Sequence, residues 1–164
     1  MTIHGQVKTA EMPDVVNFSR IEGKEGFGGA TEPSAMGELK KNGFATVINL
    51  RHATEPGALI DASRTAAESA GLNYIHLPFS PADADSGLVD DFLAAVSNEA
   101  NAPVYIHCAS ATRVAALWMI HRVLEEGWSL DDSEVEATVI AAKPADAIAF
   151  ASKYIAASKQ EESE

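Results

Sequence analysis

Sulfur and positive charge are both scarce in this chain. Cys108 is its only cysteine, so no internal disulfide can form. Lys and Arg number 12 against 24 Asp and Glu, a formal net charge of −12. That balance excludes the basic footprint that grips nucleic acid or an anionic membrane. No apolar run approaches the roughly 18–20 residues that span a bilayer. The first residues, Met1 to Val16, lack the apolar stretch of a signal peptide. The expected location is cytoplasmic, or periplasmic had an export signal been cut away. His52, His76 and His121 lack the spacing of metal ligands, and neither a metal nor a cofactor is expected. No internal repeat and no linker rich in Pro, Gly or Ser divides the 164 residues. A single domain over residues 1–164 is therefore expected, with 158–164 as a disordered polar tail.

What is present alternates. Val15 to Ile21 reads as a short strand, followed by a glycine-rich turn at Gly26–Gly29. Thr31 suits a helix cap with Pro33 in the first turn, and Asn42-Gly43 stops that helix. Ala45 to Leu50, Tyr74 to Leu77 and Pro103 to His107 are short β-branched or aromatic runs that read as buried strands. Between them lie helical patterns at Asp61–Ala70 and around Leu88–Val96. Arg113–Glu126, Asp131–Ala141 and Pro144–Ala157 follow as helices. Strands separated by helices predict an α/β domain, a central, mostly parallel sheet flanked by helices. In such sheets ligands sit beyond the carboxyl ends of the strands.

One segment lies at such an end. Val104-Tyr-Ile-His107 is the strand, Cys108-Ala-Ser-Ala-Thr-Arg113 is a loop of small residues, and a helix follows. This arrangement turns successive backbone N–H groups of Ala109, Ser110, Ala111 and Thr112 into a concavity at a helix N-terminus, which binds an anion. Arg113 adds a planar fork matched to two oxygens of a phosphate. A lone cysteine is ordinarily a small buried hydrophobe. Here the same positive field acts on Cys108: a free thiol has a pKa of about 8.5, and helix N-termini and nearby Arg lower such groups to roughly 3.5–7.5. Cys108 is thus a candidate nucleophile. Arg51 ends the strand Ala45–Leu50 at the same sheet edge, where it can line the pocket mouth or pair with Glu55.

His107-Cys108-Ala-Ser-Ala-Thr-Arg113 resembles the phosphate loop of the cysteine-dependent protein tyrosine and dual-specificity phosphatases. Gly28-Gly-Ala, Gly43-Phe-Ala-Thr-Val-Ile-Asn-Leu-Arg51 and Glu126-Gly-Trp-Ser-Leu130 narrow the resemblance. They are similar to a bacterial phosphatase-like family, some of whose members are fused to beta-lactamase-type hydrolases. The resemblance runs over roughly residues 15 to 142. It implies a phosphatase-type three-layer fold and hydrolysis of a phosphomonoester, protein phosphotyrosine among the candidates, through a phosphocysteine. It also implies a general acid from the loop after the strand Tyr74–Leu77. Asp83 and Asp85 are the two carboxylates there, and Asp85 equally suits a helix cap ahead of Leu88. The partner implied is a phosphorylated substrate or a small oxyanion.

Three departures qualify the match. The usual phosphatase loop is one residue longer between Cys and Arg, and the shorter spacing also resembles the sulfurtransferase (rhodanese) loop. Ala111 stands where glycine is usual, and Val114 stands where Ser or Thr usually hydrogen-bonds the sulfur. Ser110 and Thr112 are the candidate substitutes. A sulfurtransferase and a non-catalytic oxyanion-binding module are therefore the alternative readings. Rhodanese-like domains continue from the loop helix into another strand, whereas Trp128 to Ala157 reads as helices.

Overall fold

The computed structural model describes residues 6–83 and 86–162. Its strands are β1 (Val7–Thr9), β2 (Ser19–Ile21), β3 (Gly26–Gly28), β4 (Thr46–Asn49), β5 (Asn73–His76) and β6 (Val104–His107). Its helices are α1 (Met36–Lys41), α2 (Ile60–Ser69), α3 (Ser86–Ser97), α4 (Thr112–Leu124), α5 (Leu130–Ile140) and α6 (Ala145–Glu162). The strands form one sheet in the order β1-β2-β3-β6-β4-β5. β3, β6, β4 and β5 run parallel, and β1 and β2 extend the sheet antiparallel. The α/β expectation of a mostly parallel sheet is met.

Two apolar clusters cover the two faces of the sheet. On one, Met36 and Leu39 of α1 and Ala67 of α2 pack with Phe44, Val47 and Tyr105. On the other, α3 to α6 contribute Val89, Phe92, Leu117, Ile140 and Ile155 against Phe27, Ile48 and Ile106. β4 and β6 are buried along their whole length, as the central strands of a sheet covered on both faces are. The register aligns Gly28 and Asn49 with His107 on either side. The carboxyl end of β6 is thus flanked by the ends of β3 and β4. The chain leaving β6 enters a site walled on both sides.

Three local expectations differ from the structure. Residues 26–28 form strand β3, not a turn, because the glycines lie under aromatic rings. A Cβ on Gly26 would meet the Phe44 ring at 2.5 Å, and one on Gly28 would run into the Tyr105 hydroxyl. Thr31 is not a cap. Its hydroxyl is buried between the Gly29 carbonyl and the Tyr105 hydroxyl, 2.7 Å away, and the turn at Pro33–Ala35 starts from Glu32. Residues 158–162 continue α6 rather than fraying, since Ser158 to Glu162 include no helix breaker. α5 starts at the Ser129 cap, whose side chain accepts from the Asp132 N–H. Helices, not a further strand, follow α4. Among the described residues no helix is long and apolar enough to cross a membrane.

Candidate active site

Cys108 begins where β6 ends. Its N–H donates to the Gly28 carbonyl at 3.3 Å, and the Leu50 N–H donates to the His107 carbonyl at 2.9 Å. The loop is then fastened on its outer side. The Ala30 N–H donates to the Ala109 carbonyl at 2.8 Å, and the Asn17 side chain donates to the Ser110 carbonyl at 3.3 Å. Gly29 permits this close approach: a Cβ there would lie 2.9 Å from the Ala109 carbonyl oxygen. Both loop carbonyls are thus engaged by neighbouring segments, Ala30 and Asn17.

Cys108 is wholly buried. Its Sγ accepts a hydrogen bond from the Ala111 N–H at 3.2 Å. Ala111 is the residue from which α4 springs, in the left-handed region at φ 74. That backbone turn is what aims its N–H back at the sulfur. Ser110 and Thr112 hydrogen-bond each other at 3.2 Å, and Val114 is buried in the core.

Arg113 reaches across the cup. Its two terminal nitrogens donate to the two Glu55 carboxylate oxygens at 2.8 and 2.7 Å. One of them also meets the Leu50 and Phe79 carbonyls at 3.4 and 3.2 Å. The nearby Cys108 sulfur adds to the rise in the Arg113 pKa. The fork is therefore anchored through its two terminal nitrogens. Glu55 comes from the loop after β4. The Arg113 hydrogen bonds hold its carboxyl at about 2, and Glu55 in turn raises the Arg113 pKa.

The remaining sequence candidates fall as follows. Arg51 lies two residues beyond the end of β4 and is buried, its guanidinium donating to the Pro56 carbonyl at 2.7 Å and lying 3.6 Å from Glu55. It backs the Glu55 loop from behind. His107 lies on the opposite face of the sheet from Cys108, stacked on Tyr105 with ring centroids 5.6 Å apart. Burial lowers its pKa to about 4, so it is neutral. Asp83 closes a short helical turn over residues 81–83 after β5, and Asp85 lies outside the described residues. Trp118 is core, and the Arg122 guanidinium lies 4.9 Å from its ring and 4.0 Å from that of Trp128. Among the described residues no three His, Cys, Asp or Glu side chains cluster as metal ligands.

Sequence reasoning missed the Glu55–Arg113 pair. Its only sequence signal was a lone carboxylate beside Arg51 at helical-type spacing, and that pointed to the nearer arginine. Asn17 and the Gly29 approach also left no local signal.

Several solved structures share this fold. TpbA of P. aeruginosa superposes with a TM-score of 0.72 at 17% identity, over 93% of this chain and 90% of its own. A Cys-to-Ser form of TpbA, in complex with pTyr, gives 0.70 at 16% identity over 92% and 88%. The core catalytic domain of the PP-IP phosphatase SIW14 of S. cerevisiae, in complex with citrate, gives 0.69 at 20% identity over 92% and 96%. No curated protein sequence matches this chain closely enough to argue from. Residues 27–125, from β3 through the end of α4, match the family model of the phosphatase-like domain of beta-lactamase hydrolase-like proteins, and the chain belongs to that phosphatase-like family.

Proposed function

We propose that the chain is a cysteine-dependent phosphatase that hydrolyses a phosphomonoester, phosphotyrosine in a polypeptide being the substrate type favoured. The observation that carries this reading is the Ala111 N–H donated to Cys108 Sγ at 3.2 Å, at the head of a loop whose Arg113 is held in place by Glu55. The pTyr complex of TpbA supports the choice of substrate.

Cys108, as the thiolate, attacks phosphorus in line and forms the S–P bond. The amides of Ala109 to Arg113 and the Arg113 fork hold the three non-bridging oxygens while charge redistributes. Asp83 or Asp85 gives its proton to the departing ester oxygen. Water then attacks the phosphocysteine, the same aspartate takes the water's proton, and the S–P bond breaks to release inorganic phosphate and restore the thiolate. Glu55 fixes the orientation of Arg113, and Arg51 backs Glu55.

The test is hydrolysis of an aryl phosphate by the reduced protein between about pH 5 and pH 7, a range around ordinary catalytic pKa values. Cys108→Ser should abolish turnover and retain binding of inorganic phosphate. Wild-type protein that binds phosphate yet releases no phenol sinks the enzyme. The oxyanion-binding module is then the surviving reading. The left-handed alanine and the buried Val114, where a hydroxyl is usual, are the features that favour it.

A further inference from the structure

Two adjacent carbonyls of the loop are held by neighbouring segments, and by different means. The Ala109 carbonyl accepts from the Ala30 N–H at 2.8 Å, a contact of backbone with backbone. The Ser110 carbonyl accepts from the Asn17 side chain at 3.3 Å. Asn17 is placed for this by the residue before it. Val16 donates its N–H to the Ala30 carbonyl at 2.9 Å and accepts from the Gly29 N–H at 2.7 Å. The chain then turns at Asn17, φ 56, a left-handed conformation that asparagine tolerates better than most residues.

The Ser110 carbonyl and the Ala111 N–H belong to one peptide unit. In a trans unit the C=O and the N–H point in opposite directions. Asn17 holds one edge of it, and Cys108 Sγ receives the other at 3.2 Å. The same unit has a second orientation. Turning it by about 180° exchanges the two edges and carries φ of the following residue from positive to negative, the difference between a type II and a type I turn. For Ala111, at φ 74, that change removes a left-handed strain that glycine does not feel. It also puts the Ser110 carbonyl where the N–H now meets the sulfur, and an oxygen there disfavours the thiolate. Strain at Ala111 thus favours the orientation that cannot work. The Asn17 hydrogen bond exists only in the one that can.

We infer that Asn17 is a positioning residue: it latches the Ser110–Ala111 peptide against the strain at Ala111 and so keeps the Ala111 N–H on the Cys108 sulfur. The inference deepens the phosphatase reading, on which the use of that sulfur rests. The charged and titratable groups about the sulfur are Arg113 on α4, Glu55 paired with it, and Tyr105 and the neutral His107 on β6. None of these hydrogen-bonds Asn17 among the described residues, so the peptide is the route from Asn17 to the sulfur.

Cys108 is the only cysteine, so the ultraviolet absorbance of its thiolate, with Cys108→Ser as the blank, titrates that one group and needs no turnover. Asn17→Gly keeps the left-handed backbone and removes the donor. Its titration midpoint should rise by about one pH unit, a loss of about tenfold in thiolate below the midpoint. The kcat/KM for an aryl phosphate should fall about tenfold with it. When Ala111→Gly has already removed the strain, the same change at Asn17 should move the midpoint by less than about 0.3 unit, or about twofold. Asn17→Asp, equal in shape and without the donor, should repeat both results in molar-range salt, which screens its added charge. A midpoint unmoved by Asn17→Gly overturns the inference. So does a shift of the same size with and without Ala111→Gly, because the bond then braces the loop without opposing any strain. If the midpoints move as expected and no aryl phosphate is turned over, the phosphatase reading fails and the latch stands.

Discussion

Arg113 and Glu55 hold each other end to end, with two hydrogen bonds of 2.8 and 2.7 Å joining residues 58 positions apart in sequence. The contact uses the two terminal nitrogens of the guanidinium, which in the proposed mechanism leaves its remaining edge for the phosphate. The fork is thus oriented before substrate arrives, and no side-chain entropy remains to be lost at that step.

This pre-orientation predicts a division of effects. Arg113→Lys keeps the charge and loses the planar fork, so kcat/KM for an aryl phosphate should fall by about 100-fold or more. Glu55→Gln keeps the shape and removes the carboxylate. Phosphate should then bind at least as tightly, because one negative charge has gone, while kcat falls about tenfold because the fork is free to turn. Steady-state kinetics separate the two parameters. A Glu55→Gln protein with unchanged kcat and raised KM contradicts the orienting role.

Ala111 sits at φ 74, a conformation that costs an L-residue roughly 1–2 kcal/mol. Glycine relieves that cost but gives up a buried methyl worth about 0.8 kcal/mol and gains freedom in the unfolded chain. Ala111→Gly should therefore leave stability within about 1 kcal/mol of wild type, by denaturant titration. Ala111→Val is different in kind. A β-branched residue fits neither the left-handed backbone nor the closed space, and turnover should drop at least about tenfold as the loop rearranges. Retention of wild-type kinetics by Ala111→Val shows that the loop does not need this turn.

The loop and its sheet were legible in sequence because their signals are local. Thr46–Asn49 and Val104–His107 are short segments rich in β-branched and aromatic residues, and Cys108 to Arg113 lie consecutively at the end of the second. What stayed hidden is set by distant partners. Gly26–Gly28 has the composition of a turn, and only the rings of Phe44 and Tyr105 above it make it a strand. Thr31 has the composition of a cap, yet its hydroxyl serves Tyr105, 74 positions away. Glu55 offers Arg51 a partner four residues off, and nothing in the chain's local pattern reveals that its stronger contact is with Arg113.

Two buried or paired groups divide the acid response into windows. His107 is held neutral by burial, with its pKa lowered to about 4 against about 6.5 in an unfolded chain. Below pH 6.5 or so the unfolded chain takes a proton that the fold refuses, so stability falls as pH drops toward 4 and is flat above. Glu55, with its pKa at about 2, contributes stability that is complete above about pH 4.3 and is lost as pH falls through 2. Urea midpoints measured across this range should show His107→Gln flattening only the upper window. Glu55→Gln should flatten only the lower one. If His107→Gln leaves the slope between pH 6.5 and 4 unchanged, burial of the imidazole is not its cause.

At the far pole, Arg122 and Glu136 form a buried pair through two hydrogen bonds of 3.0 Å each. Burial raises the Glu136 pKa, and the Arg122 hydrogen bond opposes that rise. The arginine also lies over the rings of Trp118 and Trp128 and donates to Glu126 at 2.9 Å. It thereby ties α4 to α5. Removing one partner strands a charge in a site with little water, so Glu136→Ala should destabilise the fold by about 3–5 kcal/mol. Replacing both, as Arg122→Met with Glu136→Leu, should recover most of that loss, because no charge is then left unpaired. Neither residue touches the cup, so whatever fraction stays folded should keep the wild-type KM for an aryl phosphate. A Glu136→Ala protein of wild-type stability shows that α4 and α5 are held by their apolar contacts alone. A KM that shifts in the double variant shows instead that the helix pair sets the position of the loop at the other end of α4.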